Sequence, residues 1–321
     1  MTSNDLYNKR FVLFSGKGGV GKTTMASAFA WSCARRGERT LLMELNVKDK
    51  AGSLFETDGI DTEIREIRDN LYAVNVSPKA AMREYALMIL KIKLVYRAVF
   101  ENRVVSSFLK VIPGLNELVM LGKAYYHVKE TDAEGAPVWD KVVVDAPATG
   151  HGIFLLKIPM VITNLISSGL MFEEARQILE LLQDPERTAL ALVTLAEEMP
   201  VNETLMLSDV VRDEMGLHVA CVLANGIYSD LFSDDEVAWM DEHLRGGDAE
   251  VQGLVEAARF RRDRATMQRE YLQKLRDEGP WPVREIPFLF FERMAFPIVD
   301  ELAGVLEQLF AVDETASRSV G

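Results

Sequence analysis

Residues 11–24 read Phe11-Val12-Leu13-Phe14-Ser15-Gly16-Lys17-Gly18-Gly19-Val20-Gly21-Lys22-Thr23-Thr24. The first five residues form an apolar run suited to a buried strand, and residues 23–36 have helical composition up to a stop at Gly37. Between them lies the pattern G-x-x-x-x-G-K-T. In a strand–loop–helix setting, glycines let backbone N–H groups converge on phosphate oxygens, and the helix N-terminus adds a favourable dipole. Lys22 is placed to neutralise the β- and γ-phosphates, and Thr23 offers a hydroxyl to Mg²⁺. The expected nucleotide-binding set is therefore Gly16, Lys17, Gly18, Gly19, Val20, Gly21, Lys22, Thr23 and Thr24, with ATP and Mg²⁺ as the bound species.

Working outward, further strand candidates are residues 40–45, 71–76, 142–144, 189–195, 219–224 and 281–286, several of them apolar runs. Continuous Val, Leu and Ile without alternation suit strands covered on both faces. Their alternation with helical stretches predicts an α/β fold with a doubly wound, mostly parallel sheet. Two stretches interrupt the alternation. Residues 78–130 and about 152–186 read as several helices rich in Met, Leu and aromatics, and are expected to form an inserted helical subdomain on a single P-loop domain spanning 1–321. Residues 234–277 read as charged surface helices. The run at 142–144 delivers Asp145 to the C-terminal end of a strand, where ligands of open α/β sheets bind. Asp145 is thus expected to hold Mg²⁺ together with Thr23.

Composition narrows the function classes. A formal net charge of −13 argues against a nucleic-acid partner, because phosphate affinity comes from clustered Lys and Arg. Cys33 and Cys221 are the two cysteines and form no C-x-x-C pair, so thiolate metal chemistry is not expected. Residues 1–10 are polar, without the apolar core of a signal peptide. The apolar stretch 153–171 carries Lys157, Pro159, Asn164 and Gly169, which makes it a poor membrane span. These features point to a cytoplasmic protein.

The extra lysine at Lys17 makes the loop resemble the deviant Walker A group, with its K-G-G-x-G-K-[ST]-T pattern. That group includes MinD, ParA, the nitrogenase iron protein, and the ArsA and tail-anchored-protein-targeting ATPases. The segment Asp145-Ala146-Pro147-Ala148-Thr149-Gly150-His151 resembles the D-T-A-P-T-G-H switch of the ArsA and tail-anchored-targeting branch, with the proline one place early. Pro113-Gly114-Leu115-Asn116-Glu117 is similar to that branch's P-G-x-x-E segment, and Ala196-Glu197 with Glu203-Thr204 to its A-E…E-T pattern.

The resemblance implies a homodimer in which Lys17 reaches the partner's nucleotide, acting as an arginine finger would. It implies that Asn225 and Pro287 lie against the adenine. It also implies an output: ATP-driven binding and release of a hydrophobic client or membrane-protein partner. The family's first switch reads D-P-A-H, whereas residues 41–49 here read Leu-Leu-Met-Glu-Leu-Asn-Val-Lys-Asp. Aligned on the strand, Asn46 takes the water-orienting position, which implies slow hydrolysis unless Glu44 or Asp49 substitutes. The expected catalytic set is Lys17, Lys22, Asn46 and Asp145. The alternatives are a MinD- or ParA-like positioning ATPase and an arsenical pump-driving ATPase subunit. The first needs a basic tail helix or basic surface, but residues 298–308 are acidic. The second needs clustered thiols. Met82, Tyr85, Ile89, Ile92, Tyr96 and Val99 share one helix face, and the apolar helical surface either packs as core or forms a client groove to which Met82, Met88, Met120, Met160 and Met171 would be suited.

Overall fold

The computed structural model describes residues 6–45, 49–90, 114–147, 149–244 and 247–318, with the side chains of all of these except 86–90, 149–151 and 312–318. Eight strands are formed: β1 Phe11–Ser15, β2 Thr40–Leu45, β3 Arg65–Arg68, β4 Leu71–Val76, β5 Lys141–Asp145, β6 Thr188–Leu195, β7 Val219–Ile227 and β8 Val283–Pro287. They make one sheet in the order β3-β4-β2-β5-β1-β6-β7-β8. Every neighbouring pair is parallel except β3–β4. This is the doubly wound architecture that the apolar runs predict. The edge strand β3 falls outside the predicted set. It is short and charged, as suits an edge that must resist pairing with another chain.

The helices, in chain order, are α1 Lys22–Arg35, α2 Ala51–Leu54, α3 Pro78–Leu90, α4 Leu115–Lys129, α5 Thr149–Leu165, α6 Leu170–Gln183, α7 Glu198–Asp209, α8 Asp234–His243, α9 Ala249–Glu278 and α10 Phe296–Arg318. Successive residues of a strand point to opposite faces, and the core divides accordingly. Val12, Phe14, Leu42 and Val143 pack with Met25 and Phe29 of α1 and Val299 and Leu302 of α10. Leu13, Leu41, Met43 and Val144 pack with Leu118 and Leu121 of α4, Leu155 of α5 and Ile178 of α6. The described parts of the expected helical subdomain therefore share one hydrophobic core with this face of the sheet. Residues 91–113, which carry Ile92, Tyr96, Val99 and Pro113, lie outside the described residues.

Helices α1 and α10 are also joined by polar ties. Trp31 donates its indole N–H to Asp300 Oδ1 at 2.7 Å, and its ring meets Phe296 edge-on at 5.4 Å. Arg35 bridges Asp300 at 2.8 Å and Glu307 at 2.6 Å. Helix α9 runs for 30 residues, and Gln268 fixes it to the end of β7. Its amide accepts from Tyr228 N at 2.8 Å and donates to Gly226 O at 2.9 Å. Among the described residues, no helix is long and apolar enough to cross a membrane.

Candidate functional site

Strand β1 lies between β5 and β6 and feeds the glycine loop, so residues 16–21 emerge at the C-terminal edge of the sheet where the strand order reverses. This is the crevice in which open α/β sheets bind ligands. The loop needs its glycines for steric reasons. Gly16 has φ 144° and a Cβ there would meet Val193 O at 2.2 Å; Gly21 has φ 97° and a Cβ would meet Asn225 Nδ2 at 2.4 Å. Gly21 is also the N-cap of α1, with no side chain capping the helix, so the first N–H groups of α1 remain available to an anion.

Lys22, the first residue of α1, is only 8% exposed, and its ammonium donates to Lys17 O at 2.8 Å. Burial lowers its pKa, the Asp145 carboxylate opposes this, and the charge of Lys50 adds to the lowering. Asp145 ends β5 and is 1% exposed. One carboxylate oxygen accepts from Thr23 Oγ1 at 2.6 Å. The other, Oδ1, is buried and has no hydrogen-bond partner among the described residues. Burial raises the pKa of Asp145 to about 6, against the lowering effects of the Thr23 hydrogen bond and the Lys22 charge. A buried carboxylate oxygen without a partner, beside a threonine hydroxyl, is what a hard cation would satisfy. Ser15 Oγ, one residue before the loop, is likewise buried and unpartnered. Among the described residues no group of three or more His, Cys, Asp or Glu side chains is arranged for a metal. Mg²⁺ commonly takes one or two protein oxygens and completes its shell with phosphate and water, and Thr23 with Asp145 fits that use.

Lys17, expected to act across a dimer, makes an ion pair inside its own chain. Its ammonium lies 2.6 Å from Glu203 Oε1 on α7. Asn225, expected to read adenine, donates its Nδ2 to Val20 O at 2.9 Å and so clamps the glycine loop to the end of β7. Asn225 and Pro287 do line one cleft beside the loop, together with Tyr228, Phe288 and Phe291. Tyr228 and Phe288 stack there with ring centres 4.5 Å apart. This aromatic wall was not legible in the sequence, because its residues come from segments 60 positions apart that only the β7–β8 pairing brings together.

The first switch is partly visible. Asn46 lies outside the described residues. Glu44, at the end of β2, is 1% exposed and accepts from the N–H groups of Lys50 at 3.1 Å and Ala51 at 3.2 Å. Burial pushes its pKa up to about 7; those two hydrogen bonds oppose the rise, and Asp49 and Asp145 add to it. Asp49 accepts from Gly52 N and Ile60 N, both at 2.9 Å, and thereby anchors the short helix α2. In the second switch Ala148 lies outside the described residues, and residues 149–151 open α5.

Comparison with known proteins agrees with this geometry. Residues 9–171 match the anion-transporting ATPase family. The chain is 30% identical over 221 residues to the ATPase BagA of Mycobacterium tuberculosis, a match covering 67% of this chain and 64% of that protein. It is 28% identical to an arsenical pump-driving ATPase of Acidiphilium multivorum, covering 68% of this chain and 39% of the relative. A further arsenical pump-driving ATPase, from Escherichia coli, is 29% identical over 60% of this chain and 35% of its own length. The chain thus spans less than two thirds of the length of these relatives. A P-loop sheet with a lysine, threonine and strand-end aspartate converging at its switch point, together with the family match, defines the class: the chain belongs to the anion-transporting ATPase family.

Proposed function

We propose that this chain is an ATPase that binds Mg·ATP on residues 16–24 and works as a homodimeric, nucleotide-gated switch. The observation that carries the reading is the convergence of Lys22, Thr23 and Asp145 at the uncapped start of α1. Lys22 would exchange its present acceptor, Lys17 O, for phosphate oxygens. Thr23 and Asp145 would hold Mg²⁺, which when bound neutralises phosphate charge and keeps Asp145 ionised despite its burial. Asn225 would keep the loop in place through Val20 O and turn its side-chain carbonyl oxygen to the base, with Pro287 and the Tyr228–Phe288 wall beside it.

The test is calorimetry with Mg·ATP. Lys22→Ala is expected to weaken binding by roughly 10- to 100-fold, the value of a charge-assisted hydrogen bond. Unchanged affinity would sink the assignment.

The dimer reading makes Lys17 act on the partner's nucleotide. The Lys17–Glu203 pair is then a contact that dimer closure must open. Lys17→Ala should retain most nucleotide affinity and lose turnover, while Glu203→Gln should raise turnover at low protein concentration. If Lys17→Ala turns over as wild type does, the trans role is wrong.

The output we favour is gated binding of a hydrophobic client or membrane-protein partner in the cytoplasm. Met120 is fully in the core, so the groove expected around it is not an open surface in this state. Support comes instead from Leu165 at the end of α5 and from Ile166 and Leu170, which are exposed beside it. Helix α5 starts at the second switch, so nucleotide contacts at Asp145 adjoin the element that carries Leu165. An apolar fluorescent probe should bind differently in the apo, ADP and ATP states; equal, negligible binding in all three would reduce the protein to an ATPase without a client surface. A motor for an arsenical pump has less support here, because Cys33 and Cys221 are both fully buried and burial raises the Cys33 thiol pKa well above its ordinary value.

A further inference from the structure

Lys50 is not part of the glycine loop, yet it lines one cleft with Gly19, Gly21, Lys22 and Thr23. Its backbone is tied down on both sides. Its own N–H and that of Ala51 donate to Glu44, while the preceding Asp49 accepts from Gly52 and Ile60. Glu44 and Asp49, two carboxylates close to it in the chain, are therefore engaged by backbone donors. Lys50 is exposed, and its ammonium makes no ion pair or hydrogen bond among the described residues. An exposed lysine is ordinarily just solvated. This one differs in what surrounds it. Its charge acts on both Lys22 and Asp145, the two charged groups of the phosphate site. Two cations thus line one cleft with a single carboxylate, Asp49, whose oxygens accept from Gly52 and Ile60 N–H groups, and among the described residues Lys22 has only a backbone carbonyl as acceptor. Like charges gathered this way are relieved by an anion, and Gly21, Lys22 and Thr23 bring the uncapped start of α1 into the lining of the same cleft.

We propose that Lys50 is a phosphate-contacting residue of the nucleotide site, acting within its own chain on the terminal phosphate of ATP, with Glu44 as the positioning residue that fixes the backbone from which it projects. The proposal rests on the nucleotide-binding reading above and adds a residue to it. A lysine that meets the outermost phosphate distinguishes ATP from ADP, because ADP offers no oxygen at that point. The cation also withdraws charge that would otherwise repel an attacking water.

The experiment compares wild type, Lys50→Met, Lys50→Arg and Lys22→Ala by calorimetry, titrating Mg·ADP and a non-hydrolysable Mg·ATP analogue, with turnover measured in parallel. Lys50→Met should bind Mg·ADP within about 3-fold of wild type, and bind the ATP analogue about 10-fold or more weakly, the worth of one charge-assisted hydrogen bond. Lys50→Arg should restore part of the preference for the analogue, because it returns the charge. The proposal is overturned if Lys50→Met keeps the wild-type ratio of the two affinities while Lys22→Ala loses both, in which case the nucleotide site stands without Lys50. If Lys22→Ala changes neither affinity, the site reading fails first and takes the proposal with it. Glu44→Gln should keep the preference, and Glu44→Ala should reduce it, since only the alanine leaves the Lys50 N–H without an acceptor.

Discussion

The ends of β2 and β5 lie side by side in the sheet, with Glu44 opposite Asp145 in register. Each places a carboxylate, 1% exposed, at the same edge. Their surroundings divide the labour. Glu44 is saturated by backbone: Lys50 N and Ala51 N donate to one oxygen, and Asn75 Nδ2 lies 3.5 Å from the other. Asp145 receives one hydroxyl, from Thr23, and keeps one oxygen unpartnered. Two acids at equal depth on adjacent strands thus differ: Glu44 clamps the backbone, and Asp145 keeps the oxygen that the proposed Mg²⁺ would use. Burial alone does not separate them; the inventory of donors does.

The sharpest way to break this comparison is to neutralise each acid in turn. Asp145→Asn should abolish the Mg²⁺-dependent part of nucleotide affinity and lower turnover by about 100-fold or more, the scale seen when a preorganised charge is removed from a reacting site. Glu44→Gln should cost about 10-fold or less, because the amide oxygen can still accept from Lys50 N and Ala51 N. Equal losses in the two variants, read by magnesium titration of ATP binding, would erase the distinction.

A second, smaller effect is on stability. Glu44→Ala strands two N–H groups that lie at the buried edge of the cleft, and should cost roughly 1–3 kcal/mol in denaturant unfolding. A third sharpens the electrostatics. The folded chain holds the Glu44 proton up to about pH 7 against an ordinary value of 4.5, so between these values it binds that proton more tightly than the unfolded chain does. Stability of the magnesium-free protein should fall as pH rises through this window, and the full penalty stands above it. Glu44→Gln carries no such charge. Its melting temperature should therefore exceed that of wild type by about 2 °C or more at pH 8, and the gap should close at pH 4. A gap that widens toward acid would reverse the sign and refute the assignment.

The same contrast explains what the sequence could reveal. The glycine loop and Asp145 were legible because each is a local pattern: an apolar strand, then residues whose chemistry has one common use. The central parallel strands were legible through their Val, Leu and Ile runs, whereas β3 hid behind Arg65, Glu66 and Arg68, charges that its edge position tolerates. Lys17–Glu203 spans 186 positions and depends on α7 packing beside the loop, and no spacing rule anticipates it. Lys50 was invisible for a related reason. Its meaning comes from Glu44 and Asp49 being occupied by backbone N–H groups, which only the turn into α2 reveals. Asn225 was legible as a residue at the end of a core strand, but its clamp on Val20 O was not, since side-chain amides after strands serve many turns.

The tie between α1 and α10 has an optical consequence. Trp31 sits nine positions after Lys22 on the helix that starts at the phosphate loop. Its indole is hydrogen-bonded to Asp300 and edge-packed on Phe296. Phe296 lies two residues after the 288–294 segment, of which Phe288, Leu289, Phe291 and Met294 wall the candidate base cleft. Any shift of that wall against α1 changes the distance from the indole to a carboxylate and to an aromatic edge, both of which alter the energy and yield of its emission. With the other three tryptophans, Trp139, Trp239 and Trp281, replaced by phenylalanine, Trp31 emission would report any such shift in a stopped-flow instrument without an attached dye.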